Sequence, residues 1–368
     1  MANLFKSLSR SLSKSVLALA QNTVARLDHK QETLKELLQS DYAVSIANTR
    51  IVASRALLAN CDVKASKPQS SEVDLEYLAT VAKQINAQGS RNAKELSKPV
   101  TVYMCSDALP HFAKSVLPQI QVPFVLVSGD SDLGISAKTL GNSFDAIANY
   151  SLLVAWFAQN KDTQHAKLHA LPIGLDFHSR WRDAQIWGGG TILPSMQEAE
   201  LRQVLHQAPK WSDRKMIAYC NWGVSADRGD RGECKQKMDP AAYFYQDQRY
   251  TRLDTWVEQA QYAFVTSPSG AGMDCHRTWE ALALGCVPIV KRSPMSEVFE
   301  ELPVLVIDDW SQVNLAFLKE QAERMQGQSF DYSRLLLQYW VNQLQTGGND
   351  SAFSPLRCTL DQMKEIVL

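Results

Sequence analysis

The chain has 368 residues, 45% of them hydrophobic, and a formal net charge of −1. It is long enough for two domains, each with its own core, and a cleft between them is the starting expectation. The near balance of 38 Lys and Arg against 39 Asp and Glu provides no general positive field for a polyanion, which argues against a nucleic acid partner.

An apolar stripe and a basic stripe, each with four-residue spacing, run through residues 4–20. The apolar stripe consists of Leu4, Leu8, Leu12 and Val16, and the basic stripe of Lys6, Arg10 and Lys14. On a helix these stripes form two different faces, as in a helix that lies on an anionic membrane surface. A helix packed on the protein's own body fits equally well, and an organelle transit peptide is a third interpretation.

The cysteines and the hydropathy indicate a cellular setting. The seven cysteines are scattered and include no C-x-x-C pair, so we expect neither a zinc site nor a dithiol redox centre, and a reducing cytoplasm fits best. No segment approaches the roughly 20 apolar residues that span a bilayer, and the start lacks the apolar core of a secretory signal. The expected location is the cytoplasm, with peripheral attachment to a membrane as an option.

The first half of the chain alternates apolar runs with polar turns. Residues 29–60 read as helical, and a polar linker, Lys67–Ser71, follows. The predicted elements after it are strands at 101–105 and 123–128, a helical stretch at 144–159, and a strand at 168–173. The first two strands end in polar turn residues, which is typical of buried parallel strands that open onto a cleft.

The second half repeats this alternation after a domain boundary that we place near residue 180. Strands are predicted at 215–220, 263–266, 287–290 and 304–307, with helices between them. Strands that alternate with helices predict a parallel α/β sheet in each half.

The segment Ser267–Val290 reads as a glycine loop, a helix, a glycine stop and a strand. Gly270 and Gly272 allow close approach of the backbone to a ligand, and Asp274 is placed to cap the helix. The helix N-terminus offers free N–H groups and partial positive charge, which suits a pyrophosphate. Arg277 and Glu280 lie on one side of this helix. They fit either a ligand contact or a simple surface ion pair.

The same segment resembles the C-terminal signature of exostosin-like glycosyltransferases. The matching residues are Arg277, Glu280, Ala281, Leu282, Gly285, Cys286 and Pro288. Downstream, Leu302-Pro303 and Asp308-Asp309-Trp310 continue the similarity, which covers roughly residues 210–315. Upstream, Tyr219–Gly223 followed by Arg228 or Arg231 resembles the family's strand end and arginine. His276 departs from the pattern, because the family has an aromatic residue there.

The resemblance implies a GT-B fold with two Rossmann-like domains, and an inverting, metal-independent transfer of a hexose or pentose. The expected organisation is a helical extension at 1–70, an acceptor-side domain at 71–180 and a nucleotide-sugar-binding domain at 181–368. No cofactor is expected besides a nucleotide-sugar, which we expect to be a UDP-sugar, and the acceptor would be a glycan or a lipid-linked sugar. The expected donor-binding residues are Gly223, Arg228, Arg231, Ser269, Gly270, Gly272, Arg277 and Glu280.

An inverting transfer also needs a base beside the acceptor hydroxyl, and the carboxylates after the first two strands are the candidates. These are Asp107, Asp130 and Asp132, of which we choose Asp130. An Asp in such a position also fits a turn or helix cap. His111 and Trp181 are candidates for acceptor binding.

Two other functions remain open. Asp130-Ser131-Asp132 has the D-x-D spacing by which the GT-A fold holds a divalent metal on the donor diphosphate. The chain could also be a non-catalytic nucleotide-sugar-binding component of a polysaccharide-synthesis complex. The histidines at 165, 169, 178 and 206 are not spaced as a metal site, and no metal is expected.

Overall fold

A computed structural model describes residues 41–95, 98–188, 190–223, 229–349 and 353–366. The chain divides into two compact units, residues 1–45 and residues 46–368. Of the first unit, residues 41–45 are described, and they are helical. The predicted amphipathic segment at 4–20 lies outside the described residues, as does Arg228. All that follows concerns the second unit.

The first sheet of this unit is parallel throughout. Its strands are β1 (Val100–Cys105), β2 (Phe124–Gly129), β3 (Leu153–Ala158) and β4 (Leu168–Ala170), in that spatial order. Residues 46–70 are integrated at its edge, because Val63 pairs in parallel with Val102 and exchanges backbone hydrogen bonds with Thr101 and Tyr103.

Helices cover both faces of the first sheet. In the first half of the chain the α-helices are Ser54–Ala59, Leu75–Glu95, Leu109–His111, Ala137–Leu140, Asn142–Ala148 and His178–Arg182. Apolar residues of Leu75–Glu95 and Asn142–Ala148 form one core with alternate residues of the strands, such as Val102, Leu126 and Trp156. This alternation is the period of two that a strand imposes on its side chains.

The helical stretch predicted at 144–159 is wrong in its second half. The helix ends at Ala148, residues 149–152 turn, and 153–158 form β3 in the middle of the sheet. The run from Leu152 to Ala158 is continuously apolar. A strand buried on both faces and a buried helix cannot be distinguished by periodicity in so short a run.

The second sheet has five parallel strands. They are β5 (Lys215–Cys220), β6 (Tyr243–Tyr245), β7 (Tyr262–Thr266), β8 (Val287–Lys291) and β9 (Leu305–Ile307), in the order β6-β5-β7-β8-β9. The chain runs from β5 to β6 on one side and then crosses to β7 on the other. The strand order therefore reverses between β5 and β7, which is where open α/β sheets bind ligands, beyond the carboxyl ends of the strands.

The α-helices of the second half are Ala184–Trp187, Pro194–Gln207, Arg231–Lys237, Arg252–Gln259, His276–Ala283, Leu315–Met325, Leu337–Thr346 and Met363–Ile366. A short antiparallel pair, β10 (Ser329–Asp331) with β11 (Arg357–Thr359), precedes the end. The helix Leu337–Thr346 returns to the first sheet and packs against β1 and β2. Its C-cap Gly347 lies beside β3, where a Cβ on this glycine would be 2.7 Å from Val154.

The predicted class, α/β with a parallel Rossmann-like sheet in each half, is confirmed. The strands predicted at 101–105, 123–128, 215–220, 263–266, 287–290 and 304–307 are present with end shifts of one residue, and the one predicted at 168–173 ends at Ala170. Within the described ranges, no helix is both long and apolar enough to cross a bilayer.

Candidate functional site

The loops that follow β5 and β7 meet at the point where the strand order of the second sheet reverses. Asp230 and Ser269 hold them together: the Asp230 carboxylate accepts hydrogen bonds from the Ser269 N–H and hydroxyl, both at 2.7 Å. The other carboxylate oxygen accepts from Trp310 Nε1 at 2.6 Å. The Ser269 hydroxyl, predicted to bind the donor, therefore contributes to the loop's own structure.

Two arginines converge on this loop pair. Arg231 Nη1 donates to the Gly223 carbonyl at 3.3 Å, and its Nη2 lies 3.1 Å from the position of a Cβ on Gly270. Arg277 Nη1 donates to the Pro268 carbonyl at 3.2 Å. Burial raises the pKa of the nearby Cys275 thiol, and both guanidinium groups act against that rise, so both charges lie close to one point.

The helix His276–Ala283 begins beside these arginines. Cys275 is its N-cap and provides no side-chain cap, so the cap predicted at Asp274 is wrong by one residue. Asp274 instead accepts from the N–H groups of Ile173 and Cys275, both at 2.8 Å, and from Trp279 Nε1 at 2.9 Å. Complete burial raises the pKa of its carboxyl to about 6 against the effect of these hydrogen bonds.

Gly272 has no side chain and so leaves room for Asn160, which follows β3 of the first sheet. A Cβ there would lie 2.8 Å from Asn160 Oδ1, and this oxygen accepts from the Met273 N–H at 2.9 Å. Asn160 Nδ2 in turn donates to the Ser131 carbonyl at 2.9 Å. The predicted close approach at Gly272 is thus made by Asn160, just after β3, and it fixes the loop to the first sheet.

Glu280 lies beside a buried arginine, Arg252. Its Oε1 lies 3.9 Å from Arg252 Nε, while Arg252 Nη2 lies 3.1 Å from Asp176 Oδ2. The guanidinium also stacks on Trp187, with 4.2 Å between its central carbon and the ring centroid. Arg277 and Glu280 therefore have different partners, the Pro268 carbonyl and Arg252, and they do not form the surface ion pair with each other.

A group of titratable residues, some buried and some half-buried, lies between the two sheets. His276 Nδ1 is 2.7 Å from the Gly174 carbonyl, and its ring makes an edge contact with His178. Burial lowers the pKa of His178 to about 4, although Asp176 lies 3.1 Å from its Nδ1. Burial would raise the pKa of Asp176, but the charges of His178, His276 and Arg252 outweigh it, and the net shift is downward.

Asp130 belongs to the same group. It follows β2 in a left-handed conformation with φ of 57°, and its Oδ2 lies 3.2 Å from Arg55 Nη1. Burial raises the pKa of this carboxyl, and Arg55, Tyr103 and His276 oppose the rise. Asp130 is therefore a buried carboxylate within electrostatic reach of the helix that carries Arg277.

The other predicted base and acceptor residues lie elsewhere. Asp107 is partly buried in the short helix after β1, where it accepts a weak hydrogen bond from Cys105 Sγ, and Asp132 is exposed. His111 is exposed and Trp181 is partly buried. Within the described ranges, no group of three His, Cys, Asp or Glu residues is arranged to hold a metal ion.

The structure thus brings together Gly223, Arg231, Ser269, Gly270 and Arg277, with Gly272 and Glu280 on neighbouring parts of the same segment. Sequence reasoning did not identify Arg55, Asp176, Arg252 or His276. The run Gly174-Leu175-Asp176 after a predicted strand was the only signal for Asp176. Arg55 lies 75 residues from Asp130, and Arg252 lies 76 residues from Asp176, and no local pattern marks these pairs.

Comparisons with known proteins find similarity to solved structures only. No protein-family model matches the sequence, and no curated protein matches it, so the exostosin-like resemblance remains an observation on the motifs. Among solved structures, the chain is similar to a UDP-forming α,α-trehalose-phosphate synthase from Burkholderia xenovorans, with 13% identity and a TM-score of 0.36 over 77% of this chain and 81% of that chain. It is also similar to an α1,3-fucosyltransferase, with 9% identity and a TM-score of 0.33 over 70% of this chain and 92% of that chain. Likeness of this degree carries no argument about substrate or reaction.

Proposed function

We propose that the protein is a glycosyltransferase that moves a sugar from a nucleotide-sugar to a glycan or lipid-linked acceptor. One observation carries the proposal: Arg231, Arg277 and the N-terminus of the helix His276–Ala283 meet where the strand order of the second sheet reverses. Guanidinium groups bind phosphate oxygens in a bidentate fashion, and a helix N-terminus adds N–H donors and partial positive charge. This combination suits the diphosphate of a nucleotide-sugar.

The proposed reaction is an inverting, metal-independent transfer. The acceptor hydroxyl loses its proton to a carboxylate as its oxygen attacks the anomeric carbon, and the bond from that carbon to the diphosphate oxygen breaks. The leaving nucleoside diphosphate takes the bonding electron pair. Arg231 and Arg277 stabilise the negative charge that develops on the leaving diphosphate, as positively charged groups do in phosphoryl transfer.

Asp130 is the proposed base. Its raised pKa brings proton uptake closer to neutral pH than an ordinary carboxyl allows, and its charge interacts with that of His276, the neighbour of Arg277. Asp132 is exposed and Asp107 binds Cys105, so neither has a comparable environment. The pairing of Asp130 with Arg55 also makes the D-x-D metal site a poorer fit, because a metal ligand would have to leave its cationic partner.

Glu280 is proposed to bind the ribose hydroxyls of the donor, and a UDP-sugar remains the expected donor. The carboxylate sits beside Arg252 at 3.9 Å, a distance that leaves its lone pairs available for hydroxyl donors. Attachment to a membrane through residues 4–20 would suit a lipid-linked acceptor. Liposome binding that is unchanged when residues 1–28 are deleted would remove this part of the proposal.

The first test measures thermal stabilisation by UDP, GDP, CMP and ADP, each with and without magnesium or manganese. We expect one nucleotide to stabilise the wild type without metal, by about 2.7 kcal/mol at a hundredfold excess over its Kd. Arg277→Ala should abolish this effect, and Glu280→Gln should weaken it. Arg292→Ala is the matched control, because Arg292 is an exposed arginine that pairs only with the exposed Asp308 among the described residues.

Three results would contradict the proposal. The absence of stabilisation across the panel would remove the donor site. Stabilisation that requires metal and persists in Arg277→Ala would indicate that Asp130 and Asp132 bind a metal, as in the GT-A alternative. If the nucleotide binds but no transfer is found with any acceptor, the protein is the non-catalytic binding component instead.

A further inference from the structure

The imidazole ring of His276 is fixed at one nitrogen and open at the other. Its Nδ1 lies 2.7 Å from the Gly174 carbonyl oxygen. Because a carbonyl oxygen only accepts hydrogen bonds, Nδ1 carries a proton in this contact. Nε2 forms no hydrogen bond within the described part of the chain, and it is not one of the atoms that the fold shuts off from solvent. In the neutral ring Nε2 is therefore an accessible hydrogen-bond acceptor.

The anchor of this ring is itself held firmly. Gly174 is buried at a φ of 65° and pairs with Ala53, and the next residue, Leu175, donates a backbone hydrogen bond of 2.8 Å to the Val52 carbonyl. The ring also makes an edge contact with His178, with 6.2 Å between the ring centroids. Nε2 therefore points in a fixed direction, and a ligand that donates to it does not have to order the side chain first.

His276 and Arg277 begin the same helix but lie in different electrostatic surroundings. Arg277 Nη1 donates to the Pro268 carbonyl of the loop after β7, whereas His276 contacts the segment after β4. Burial is the largest influence on the pKa of the Asp130 and Asp176 carboxyls, and the charge of His276 lowers both values, so both carboxyls lie near its ring. Carboxylates at this side of the helix disfavour a phosphate group, whereas a hydroxyl can donate to Nε2.

Glu280 lies one turn further along the helix, on the same face as His276. With ribose at Glu280 and the diphosphate at Arg231 and Arg277, the transferred sugar lies beyond the diphosphate, toward the first sheet and the proposed base Asp130. The helix brings the ring of His276 to this side, where it contacts Gly174 of the segment after β4. Nε2 is thus an accessible acceptor at the place of the transferred sugar.

We propose that His276 Nε2 accepts a hydrogen bond from a hydroxyl group of the transferred sugar and so contributes to the choice of donor. This inference rests on the proposed function, because it takes Arg277 as the contact of the diphosphate. The two ring nitrogens then have separate tasks: Nδ1 anchors the ring to Gly174, and Nε2 binds the sugar. A nucleotide-sugar that lacks this hydroxyl is disfavoured, because Nε2 is then left without a donor.

Calorimetric titration of the full chain tests this with UDP, GDP, UDP-glucose, UDP-galactose, UDP-xylose, GDP-mannose and GDP-fucose. His276→Asn keeps a side-chain N–H that can donate to the Gly174 carbonyl, but it has no atom at the place of Nε2. We expect this variant to bind the nucleoside diphosphate within about twofold of the wild type. It should bind the matching nucleotide-sugar about five- to tenfold more weakly, since one hydrogen bond is lost.

His276→Gln is the companion variant, because its longer side chain reaches the place of Nε2 with an amide oxygen and gives up the bond to Gly174. It should recover part of the affinity for the nucleotide-sugar. A role in anchoring alone predicts the reverse order, with His276→Asn like the wild type and His276→Gln impaired. His206→Asn is the matched control, since His206 is an exposed histidine of the helix Pro194–Gln207. It should bind every ligand like the wild type.

Three results would overturn the inference. An equal loss of affinity for the nucleoside diphosphate and for its sugar would place Nε2 on the nucleotide. Sugar binding by His276→Asn that equals the wild type would leave Nε2 without a contact. Wild-type binding of a nucleoside diphosphate, but of none of its sugars, would refute the sugar contact and leave the nucleotide site standing.

Two measurements keep these outcomes distinct. If the melting curve shows that His276→Asn does not fold, His276→Phe replaces it, because phenylalanine also lacks a nitrogen at this place. If the wild type binds no nucleotide at all, the proposed function fails, and the inference fails with it.

Discussion

Asn160 joins the first sheet to the loop before the helix His276–Ala283, and its replacement should loosen that loop. The residue is buried and has a left-handed backbone with φ of 55°. Its side chain makes two hydrogen bonds of 2.9 Å, accepting from the Met273 N–H and donating to the Ser131 carbonyl. A third contact, from the Asp274 N–H, is longer at 3.4 Å.

The cost of Asn160→Ala follows from these contacts. It leaves the Met273 N–H and the Ser131 carbonyl without their partner, at about 1–3 kcal/mol for each group that stays buried. Alanine also pays about 1 kcal/mol for the left-handed conformation, a cost that glycine avoids. Because Ser131 and Met273 are only half-buried, we count the loss for one such group together with the backbone cost. We therefore expect Asn160→Ala to lower the free energy of unfolding by about 2–4 kcal/mol, and Asn160→Gly to lower it by about 1 kcal/mol less.

Hydrogen exchange of a peptide that covers residues 268–275 measures the local effect. A loss of 1–3 kcal/mol at the Met273 amide corresponds to exchange about 5- to 150-fold faster. Asn86→Ala is the matched control, because Asn86 also makes two side-chain hydrogen bonds to the backbone, with Gln119 and Gln121, but at the periphery of the first sheet. If Asn160→Ala exchanges in this peptide at the rate of Asn86→Ala, the side chain does not hold the loop and the reasoning fails.

Three further predictions concern buried groups between the sheets. The pKa of Asp274 is about 6 in the folded protein, against 3.8 for a free carboxyl, so folding favours the protonated form. Its contribution to stability is fully present below about pH 4 and falls by about 3 kcal/mol as the pH rises through 6. Urea midpoints measured from pH 4 to 8 should therefore decline in the wild type, and Asp274→Asn should lose this dependence. Lys161→Met breaks a 2.7 Å ion pair with Glu297, whose side chain is one-third exposed, and should lower the free energy of unfolding, measured by urea denaturation, by about 1–3 kcal/mol. The double variant Lys161→Met with Glu297→Gln should recover part of this loss. Gly174→Ala places a Cβ 2.5 Å from the Val52 carbonyl oxygen at a φ of 65°. We expect a melting temperature lower by several degrees, or loss of soluble protein. A melting temperature equal to that of the wild type would show that this position does not require glycine.

The strands were predictable where apolar runs end abruptly in polar residues. Cys105 and Ser128 mark such ends in the first sheet, and Cys220 and Thr266 mark them in the second. The prediction of secondary structure failed where the local sequence pattern carries too little information. The strand β3 follows a helix with only Asn149–Leu152 between them, and its apolar run fits either structure.

The strand β6 has three residues, Tyr243–Tyr245, and this is too short for any alternation to be recognised. Without it, the reversal of strand order between β5 and β7 could not be derived from the sequence. The position of a ligand site in an open α/β sheet depends on that reversal. The sequence therefore predicted the binding segment by its glycines and its motif, and only the fold explains its location.

Side-chain pairing across the chain was not predictable for a different reason. Asp176 and Arg252 are 76 residues apart, and Arg55 and Asp130 come from an edge segment and the end of β2. A buried ion pair is specified by the packing of several elements, and neither partner has a local sequence signature. The spacing of Arg277 and Glu280 correctly placed them on one helix, but their partners, Pro268 and Arg252, follow from tertiary structure.

The two buried carboxylates near His276 have pKa shifts of opposite sign, and this supports their assignment to different roles. Burial dominates for Asp130 and raises its pKa, while the charges around Asp176, above all those of His178, His276 and Arg252, lower the pKa of that group despite its burial. Asp176 therefore stays ionised throughout the physiological range and holds Arg252 beside Glu280. Asp130 takes up a proton more readily, which is the property that a general base requires. Environments that separate the pKa values of neighbouring carboxyls are how one site obtains a fixed charge and a proton acceptor from the same residue type. Arg55 opposes the rise in the pKa of Asp130, because its positive charge, 3.2 Å from the carboxylate, favours the ionised form.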